Sequence, residues 1–273
     1  MRVGYLLVPG IAFLFFTFLV PLLLLLSRSF YEGGFTAEYY VRILTTPSYL
    51  RIIWTSIEIA ALSTIATMLL AYPVSYYLIK VGSGLRSLMI AMIIVPFWTN
   101  ILVRCYSWIV VLQKRGLVNA LLTDQLGLTN QPIELVYNRV GVLIGMTHYL
   151  LPPAILILYS VNRTIDLKLS EAAQGLGASA WKAFTRVFFP MSLPGVRAAT
   201  LLVMILGLGF FVTPALLGGR LDITLAMLIN NQFSETTNWG LGAALSTVLL
   251  VMTTIGIAAH YQALARLGRR VAP

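Results

Sequence analysis

The feature that most limits the fold of this chain is a series of apolar stretches, each long enough to cross a lipid bilayer. A helix rises about 1.5 Å per residue, so about 20 apolar residues span the hydrocarbon core. Only a helix or a closed barrel satisfies its backbone polar groups in lipid, and stretches of this length favour helices. We therefore predict an all-α membrane protein with about six transmembrane helices. The predicted spans are Tyr5–Leu26, Ile52–Ile79, Leu88–Leu112, Val140–Val161, Leu193–Leu217 and Gly240–Ala265.

The composition supports a membrane location. Hydrophobic residues make up 59% of the chain and charged residues only 10%, whereas a soluble domain carries about 25% charged residues. The net charge of +10 does not indicate nucleic-acid binding, because no basic helix or aromatic–basic platform is present. The chain has one cysteine, Cys105, so an intrachain disulfide is excluded.

The loops predict how the chain is oriented. A cytoplasmic N-terminus places more Lys and Arg residues in the cytoplasmic loops than in the external ones, as the positive-inside rule requires. An even number of spans then leaves both termini cytoplasmic. The first apolar stretch is longer than the core of a cleavable signal, which supports an uncleaved first span. We expect a single domain over 1–273, with a short non-spanning helix at Ile223–Phe233.

The segment at about 163–190, between the fourth and fifth predicted spans, has the pattern of two short helices joined by a glycine bend. Ser170 is placed to cap the first helix, which Gly175 and Gly177 would end. Ser179 is placed to cap the second helix, and Pro190 to close it before the fifth span.

The second short helix is predicted to be amphipathic. Trp181, Phe184 and Phe188 recur at helical spacing and would share one face at the membrane surface. From this pattern alone, a hairpin that merely connects two spans is a second interpretation.

A family resemblance favours a functional loop. The sequence Glu171-Ala172-Ala173, followed by Gly177, Val187 and Phe189-Pro190, resembles the EAA loop of bacterial ABC importer permeases. Val and Phe stand where that pattern usually has Ile and Leu. The resemblance implies the transmembrane domain of a type I ABC importer, in which this loop is the helix that docks into the ATPase subunit. Glu171, Ala172, Ala173, Gly177 and Pro190 are then the coupling residues.

The same resemblance implies a set of partners. The chain has no GxxxxGK[ST] loop for nucleotide phosphates, so ATP and Mg would be bound by a partner and this chain would hold no cofactor. The expected partners are two copies of an ABC ATPase subunit, a second and different permease, and a periplasmic substrate-binding protein, in the bacterial inner membrane. Motifs such as HExxH and GxSxG are missing, so we predict no enzyme, no catalytic residue and no metal site.

Two further stretches resemble spermidine/putrescine permeases. One is the run from Pro96-Phe97-Trp98-Thr99-Asn100 to Arg104, and the other is Phe211–Gly219. This resemblance implies a polyamine substrate. Many such permeases have an acidic residue just before the second motif, but here Gly207–Phe210 contains none. An opine or another small solute is therefore the alternative substrate, and a secondary transporter or channel the alternative class.

Polar residues within the spans are candidates for the transport path. Glu58, Trp98, Asn100 and Tyr106 would line it and meet a cationic substrate through charge and cation–π contacts. In the alternative interpretation Glu58 and Arg104 neutralise each other and Trp98 is a packing residue or an interfacial anchor. We assign Arg104 a structural role in either case, because its charge would repel a polyamine. Pro96 is expected to kink the third span.

Overall fold

The computed structural model describes residues 8–31 and 35–271, with side chains of the last helix described up to His260 and at position 262. The start of the predicted first span, at Tyr5, lies outside the described residues. The elements are helical: α1 Val8–Arg28, α2 Glu38–Thr45, α3 Pro47–Lys80, α4 Ser83–Phe97, α5 Ile101–Leu112, α6 Arg139–Asn162, α7 Lys168–Gly175, α8 Ala180–Gly209, α9 Val212–Leu217, α10 Leu225–Ser234 and α11 Trp239–Val271.

The prediction of about six transmembrane helices is confirmed. Among the described residues, α1, α3, α6, α8 and the part of α11 up to His260 are each long and apolar enough to cross a membrane. A sixth span results if the bent pair Ser83–Phe97 and Ile101–Gln125 counts as one; its halves meet at an angle of 97° across residues 98–100, and the second half continues from α5 to Gln125. The predicted short helix at Ile223–Phe233 is confirmed as α10.

The contacts within the chain group its residues into two compact units. The prediction of a single domain over 1–273 stays a prediction. The first unit holds the described residues up to Trp54 and those from Thr224 onward. Its buried core is formed by α2, α10 and α11, with Ile43, Leu225 and Leu245 fully enclosed. Thr224 Oγ1 caps α10 by accepting from the backbone N–H of Met227 at 3.3 Å, as an N-cap threonine commonly does.

The second unit, Thr55–Ile223, contains every candidate site residue. Its core lies along α6, where Val142, Met146, Leu150 and Leu158 are enclosed. Small residues let neighbouring helices approach closely, as in other membrane helix bundles. A Cβ added at Gly195 of α8 would lie 2.9 Å from Cβ of Val161 on α6, so these two helices pack too closely for a larger residue.

Pro96 does more than kink the third span. Helix α4 ends one residue later, at Phe97, and the chain turns through residues 98–100 before α5 begins. The prediction of one kinked helix over Leu88–Leu112 is therefore wrong. A sharp break leaves the carbonyls at the end of α4 without intrahelical donors, and these groups require other partners.

Two predicted boundaries in the 163–190 segment are also wrong. Ser170 does not cap α7: the helix begins two residues earlier, where Asp166 Oδ1 accepts from Lys168 N at 3.0 Å. Pro190 does not end a helix, because α8 runs unbroken from Ala180 to Gly209. A wide π-helical turn at Phe184–Phe188 precedes the proline, which stands at the start of the following α-helical segment, where its missing N–H costs little.

Candidate functional site

The 163–190 segment forms a helical hairpin with a glycine bend. Helix α7 ends at Gly175, and Gly177 has φ +91°, a conformation that residues with a Cβ rarely adopt. Ser179 Oγ accepts from Lys182 N at 3.3 Å and caps α8, as predicted. The predicted aromatic face is also present, since the rings of Trp181 and Phe184 stack with centroids 5.7 Å apart.

The hairpin is anchored to the end of α3 by aromatic contacts. The ring of Tyr76 lies 5.2 Å from that of Phe184 and 4.7 Å from that of Phe188. One turn earlier, the Tyr72 hydroxyl is 2.7 Å from Ser192 Oγ. These contacts pack the hairpin, whose second arm is the start of α8, against the end of α3.

The tip of the hairpin is open to a partner. Glu171, Ala172 and Gly177 are exposed, and Ala173 is half-buried. Leu176, between the two glycines, is 90% exposed, and the sequence analysis did not single it out. Leu176 is thus a large apolar side chain left uncovered next to Gly177, which takes the left-handed conformation that glycine allows. The flanking glycines were the sequence signal that could have identified Leu176.

Arg104 holds the broken span together. Its Nη2 donates to the carbonyl oxygens of Pro96, Phe97 and Thr99 at 2.7, 3.1 and 3.0 Å. The residue is only 8% exposed, and its guanidinium lies 5.2 Å from the ring centre of Tyr149. A cation at a helix C-terminus also counters the negative end of the helix dipole. These contacts support the structural role that we predicted for Arg104.

The candidate path residues of this span lie at and after the break. Asn100 caps α5, since its Oδ1 accepts from Leu102 N at 2.8 Å. Trp98 is 83% exposed, so it is not a packing residue within this chain. Tyr106 is exposed on α5, two turns after the break. Trp98 and Asn100 thus both lie in the turn between α4 and α5, and Tyr106 lies on the helix that Asn100 caps.

Glu58 has a different partner from the one considered above. Its Oε1 lies 2.6 Å from Arg139 Nη1, and Arg139 Nε also donates to Asp222 Oδ1 at 3.0 Å. A Glu58–Arg104 pair is therefore wrong, because Arg104 turns back to carbonyls of its own chain. Sequence reasoning missed Arg139 and Asp222 as site residues, since 83 positions separate them. Their only signal was a charge at the edge of an apolar stretch.

Aromatic residues missed by the sequence analysis surround the break. Tyr149 of α6 packs against Phe97 and Phe210, with ring centroids 5.7 and 4.5 Å away. His148 accepts a hydrogen bond from Trp108 Nε1 at 3.3 Å through Nδ1, which makes it a packed histidine. No group of His, Cys, Asp or Glu that could hold a metal ion occurs among the described residues.

Comparison with known proteins gives a consistent result. Residues 11–271 match the family described as "Binding-protein-dependent transport system inner membrane component". The spermidine/putrescine transport system permease protein PotB of Haemophilus influenzae is 35% identical over 268 residues, which covers 95% of this chain and 93% of the relative. PotB of Escherichia coli is 34% identical over 245 residues, which covers 90% of this chain and 88% of the relative.

Solved structures share the fold. A chain of a bacterial ABC transporter involved in import of the acidic polysaccharide alginate superposes with a TM-score of 0.79 at 16% identity, covering 99% of this chain and 96% of that chain. The same type of transporter in complex with an alginate pentasaccharide-bound periplasmic protein gives a TM-score of 0.81 at 16% identity, covering 97% and 94%.

Proposed function

This chain belongs to the family of inner membrane components of binding-protein-dependent transport systems, and from this premise we propose that it is the permease of an ATP-driven polyamine importer. It is a multi-pass inner membrane protein and a transport subunit, with no enzymatic activity of its own. The observation that carries the proposal is the helical hairpin, with Gly177 at φ +91° and Leu176 exposed at its tip.

The hairpin is suited to transmit force from an ATPase. Leu176 would enter a groove of that subunit, and Glu171 would pair with a cation beside it. Because Phe184 and Phe188 pack on Tyr76, a displacement of the hairpin moves α3 and α8 together. Closure of two ATPase copies would then tilt the spans between inward-open and outward-open states. Both termini and the hairpin lie on the cytoplasmic side in this arrangement.

The other partners follow from the same architecture. A second, different permease would complete the transport path, and a periplasmic binding protein would deliver the substrate. ATP and Mg would bind to the ATPase copies. Trp98 supports the first of these partners, since it projects from the broken span with 83% of its surface uncovered, as expected of a side chain that faces a shared path.

Two observations support a polyamine as substrate. The relatives with 34–35% identity over most of the chain are named for spermidine and putrescine transport. Aromatic side chains at the broken span, Trp98 and Tyr106, offer cation–π contacts to an ammonium group. The guanidinium of Arg104 keeps its positive charge, but it is only 8% exposed and is held at the carbonyl oxygens of Pro96 and Phe97, whereas Trp98 and Tyr106 are exposed.

The coupling role is tested by matched glycine variants in the complete reconstituted assembly. Gly177→Val places a β-branched residue at φ +91°, whereas Gly175→Val makes the same change two residues away, inside α7, where φ is not positive. A Cβ has open space at both positions. We expect Gly177→Val to lose ATPase co-purification and substrate-stimulated hydrolysis, and Gly175→Val to retain both. If Gly177→Val keeps attachment and stimulation, the hairpin is only a connector.

The same assay names the substrate. The binding protein is loaded in turn with spermidine, putrescine or an opine, and stimulated ATP hydrolysis is measured with the unaltered permease. Stimulation by spermidine or putrescine supports the polyamine assignment. Stimulation by an opine alone replaces that assignment and leaves the importer class in place.

A further inference from the structure

An ion cluster joins α3, α6 and the loop that follows α9. Arg139 lies at its centre, bound to Glu58 through Nη1 at 2.6 Å and to Asp222 through Nε at 3.0 Å. Two carboxylates therefore share one guanidinium, and the cluster carries one net negative charge. A partly buried site with this excess charge attracts a second cation.

The two carboxylates hold Arg139 unequally. The side chain of Asp222 is 6% exposed, and its second oxygen accepts the Gly219 N–H at 3.0 Å. The side chain of Glu58 is 37% exposed, and its second oxygen has no hydrogen-bond partner among the described residues. Removing the cation from a buried carboxylate costs more than removing it from a half-exposed one. The Glu58 contact is therefore the one that can exchange.

With the hairpin on the ATPase side, as proposed above, the cluster lies towards the opposite side of the membrane, from which an imported substrate arrives. Glu58 and Lys80 are 22 residues apart on α3, which corresponds to about 33 Å of helix. The Lys80 end of α3 lies beside Tyr76, which packs on the helical hairpin. Glu58 is thus about one hydrocarbon thickness away from the proposed ATPase contact.

From this geometry we infer that Arg139 competes with the ammonium group of the substrate for the carboxylate of Glu58. In the empty transporter the guanidinium of Arg139 is paired with Glu58. A primary ammonium group of the substrate displaces it from Glu58 and leaves Arg139 paired with Asp222. The inference rests on the proposed polyamine substrate and adds the residue that selects it. Each charge keeps a partner throughout the exchange, so no uncompensated charge is left in the cluster. A neutral or anionic solute does not release Arg139 from Glu58.

The test measures equilibrium binding of labelled spermidine to the permease–ATPase assembly in nanodiscs, with the binding protein omitted. Glu58→Gln removes the exchanging carboxylate and is expected to weaken binding about tenfold, the equivalent of about 1.4 kcal/mol. Arg139→Gln removes the competing cation and is expected to tighten binding by a similar factor. In the double variant, Arg139→Gln is expected to have no further effect, because the carboxylate for which it competes is gone.

A second ion pair provides the control. Lys114 Nζ lies 2.6 Å from Glu134 Oε1 on the exposed surface of the same unit, and the Lys114 ammonium holds the pKa of Glu134 below its usual range. Glu134→Gln therefore also removes a paired, ionised carboxylate, but away from the cluster, and is expected to leave spermidine binding unchanged.

Several results would overturn the exchange. If Arg139→Gln tightens spermidine binding equally with and without Glu58, the change comes from the long-range electrostatic repulsion by Arg139 and not from competition for Glu58. If Arg139→Gln weakens spermidine binding or leaves it unchanged, Arg139 does not compete with the substrate for Glu58. Glu58→Gln keeps the Arg139–Asp222 pair intact, so unchanged binding in this variant overturns the inference even if Arg139→Gln fails to assemble.

Uptake by the unaltered complete assembly in proteoliposomes separates the two proposals. Uptake of spermidine together with any of the contradicting results overturns the exchange alone. Failure to take up either spermidine or putrescine overturns the substrate assignment and, with it, the exchange.

Discussion

The guanidinium of Arg104 turns back eight residues along its own chain to the carbonyl oxygen of Pro96, at 2.7 Å. This contact links the two halves of the broken span, α4 and α5. It explains why an arginine is tolerated in an apolar stretch: the break removes carbonyls from the helical hydrogen-bond ladder, and the Arg104 side chain donates to three of them.

The first prediction concerns this contact. Arg104→Met keeps an unbranched side chain but removes the donor to the carbonyls of Phe97 and Thr99, whereas Pro96 O keeps the Thr99 hydroxyl and N–H as donors. Each buried unsatisfied polar group costs about 1–3 kcal/mol. We expect a loss of about 2–4 kcal/mol in the free energy of unfolding, measured by denaturant unfolding in detergent. Arg115→Met removes an exposed arginine from the same unit and is expected to change stability by less than about 0.5 kcal/mol. Equal effects of the two variants would contradict the capping role.

The second prediction separates two roles of Asn100. Asn100→Ser keeps a side-chain oxygen for the Leu102 N–H, whereas Asn100→Ala does not. Loss of an N-cap costs about 0.5–2 kcal/mol, so the alanine variant is expected to be less stable by that amount and the serine variant close to unaltered. The thermal midpoint of each detergent-solubilised variant gives the comparison. If the serine variant is stable but transports poorly in proteoliposomes, Asn100 also contacts the substrate, as the sequence analysis proposed.

The third prediction tests the apolar tip of the hairpin. Leu176→Asp is expected to reduce co-purification of the ATPase by at least about tenfold, because an interface anchor is worth about 2 kcal/mol or more. The free energy of unfolding of the Leu176→Asp permease should stay within about 0.5 kcal/mol of that of the unaltered chain, since Leu176 is exposed. Leu128→Asp changes another exposed leucine, in the segment between α5 and α6, and should leave ATPase attachment intact. Attachment that survives Leu176→Asp would place the ATPase contact elsewhere.

The fourth prediction concerns packing beside the ion cluster. A Cβ at Gly141 would lie 2.7 Å from the backbone oxygen of Leu135 and 3.2 Å from that of Leu217. Backbone atoms give way less easily than side-chain tips, so Gly141→Ala is expected to destabilise the protein by about 1–3 kcal/mol in denaturant unfolding. Gly209→Ala makes the same change where nothing lies within 4 Å. A destabilisation of similar size at Gly209 would argue against the steric explanation.

Local patterns were enough to predict the hairpin. Gly177, Ser179 and the aromatic spacing of Trp181 and Phe184 act through neighbours in sequence, and the structure has the bend, the cap and the stacked rings. The end of that helix was not predicted, because a wide turn at Phe184–Phe188 makes Pro190 compatible with a continuous helix. A proline in sequence indicates a missing donor but not how the backbone accommodates it.

The sequence by itself determined that this chain spans a membrane about six times and presents a helical hairpin between two spans, because apolar length and local capping chemistry are properties of contiguous residues. Only the tertiary structure decided which charges meet. Glu58 and Asp222 both bind Arg139, and Arg104 serves the carbonyls of a broken helix. Ion partners within a bundle depend on the packing of distant helices, and sequence separation carries no information about that distance.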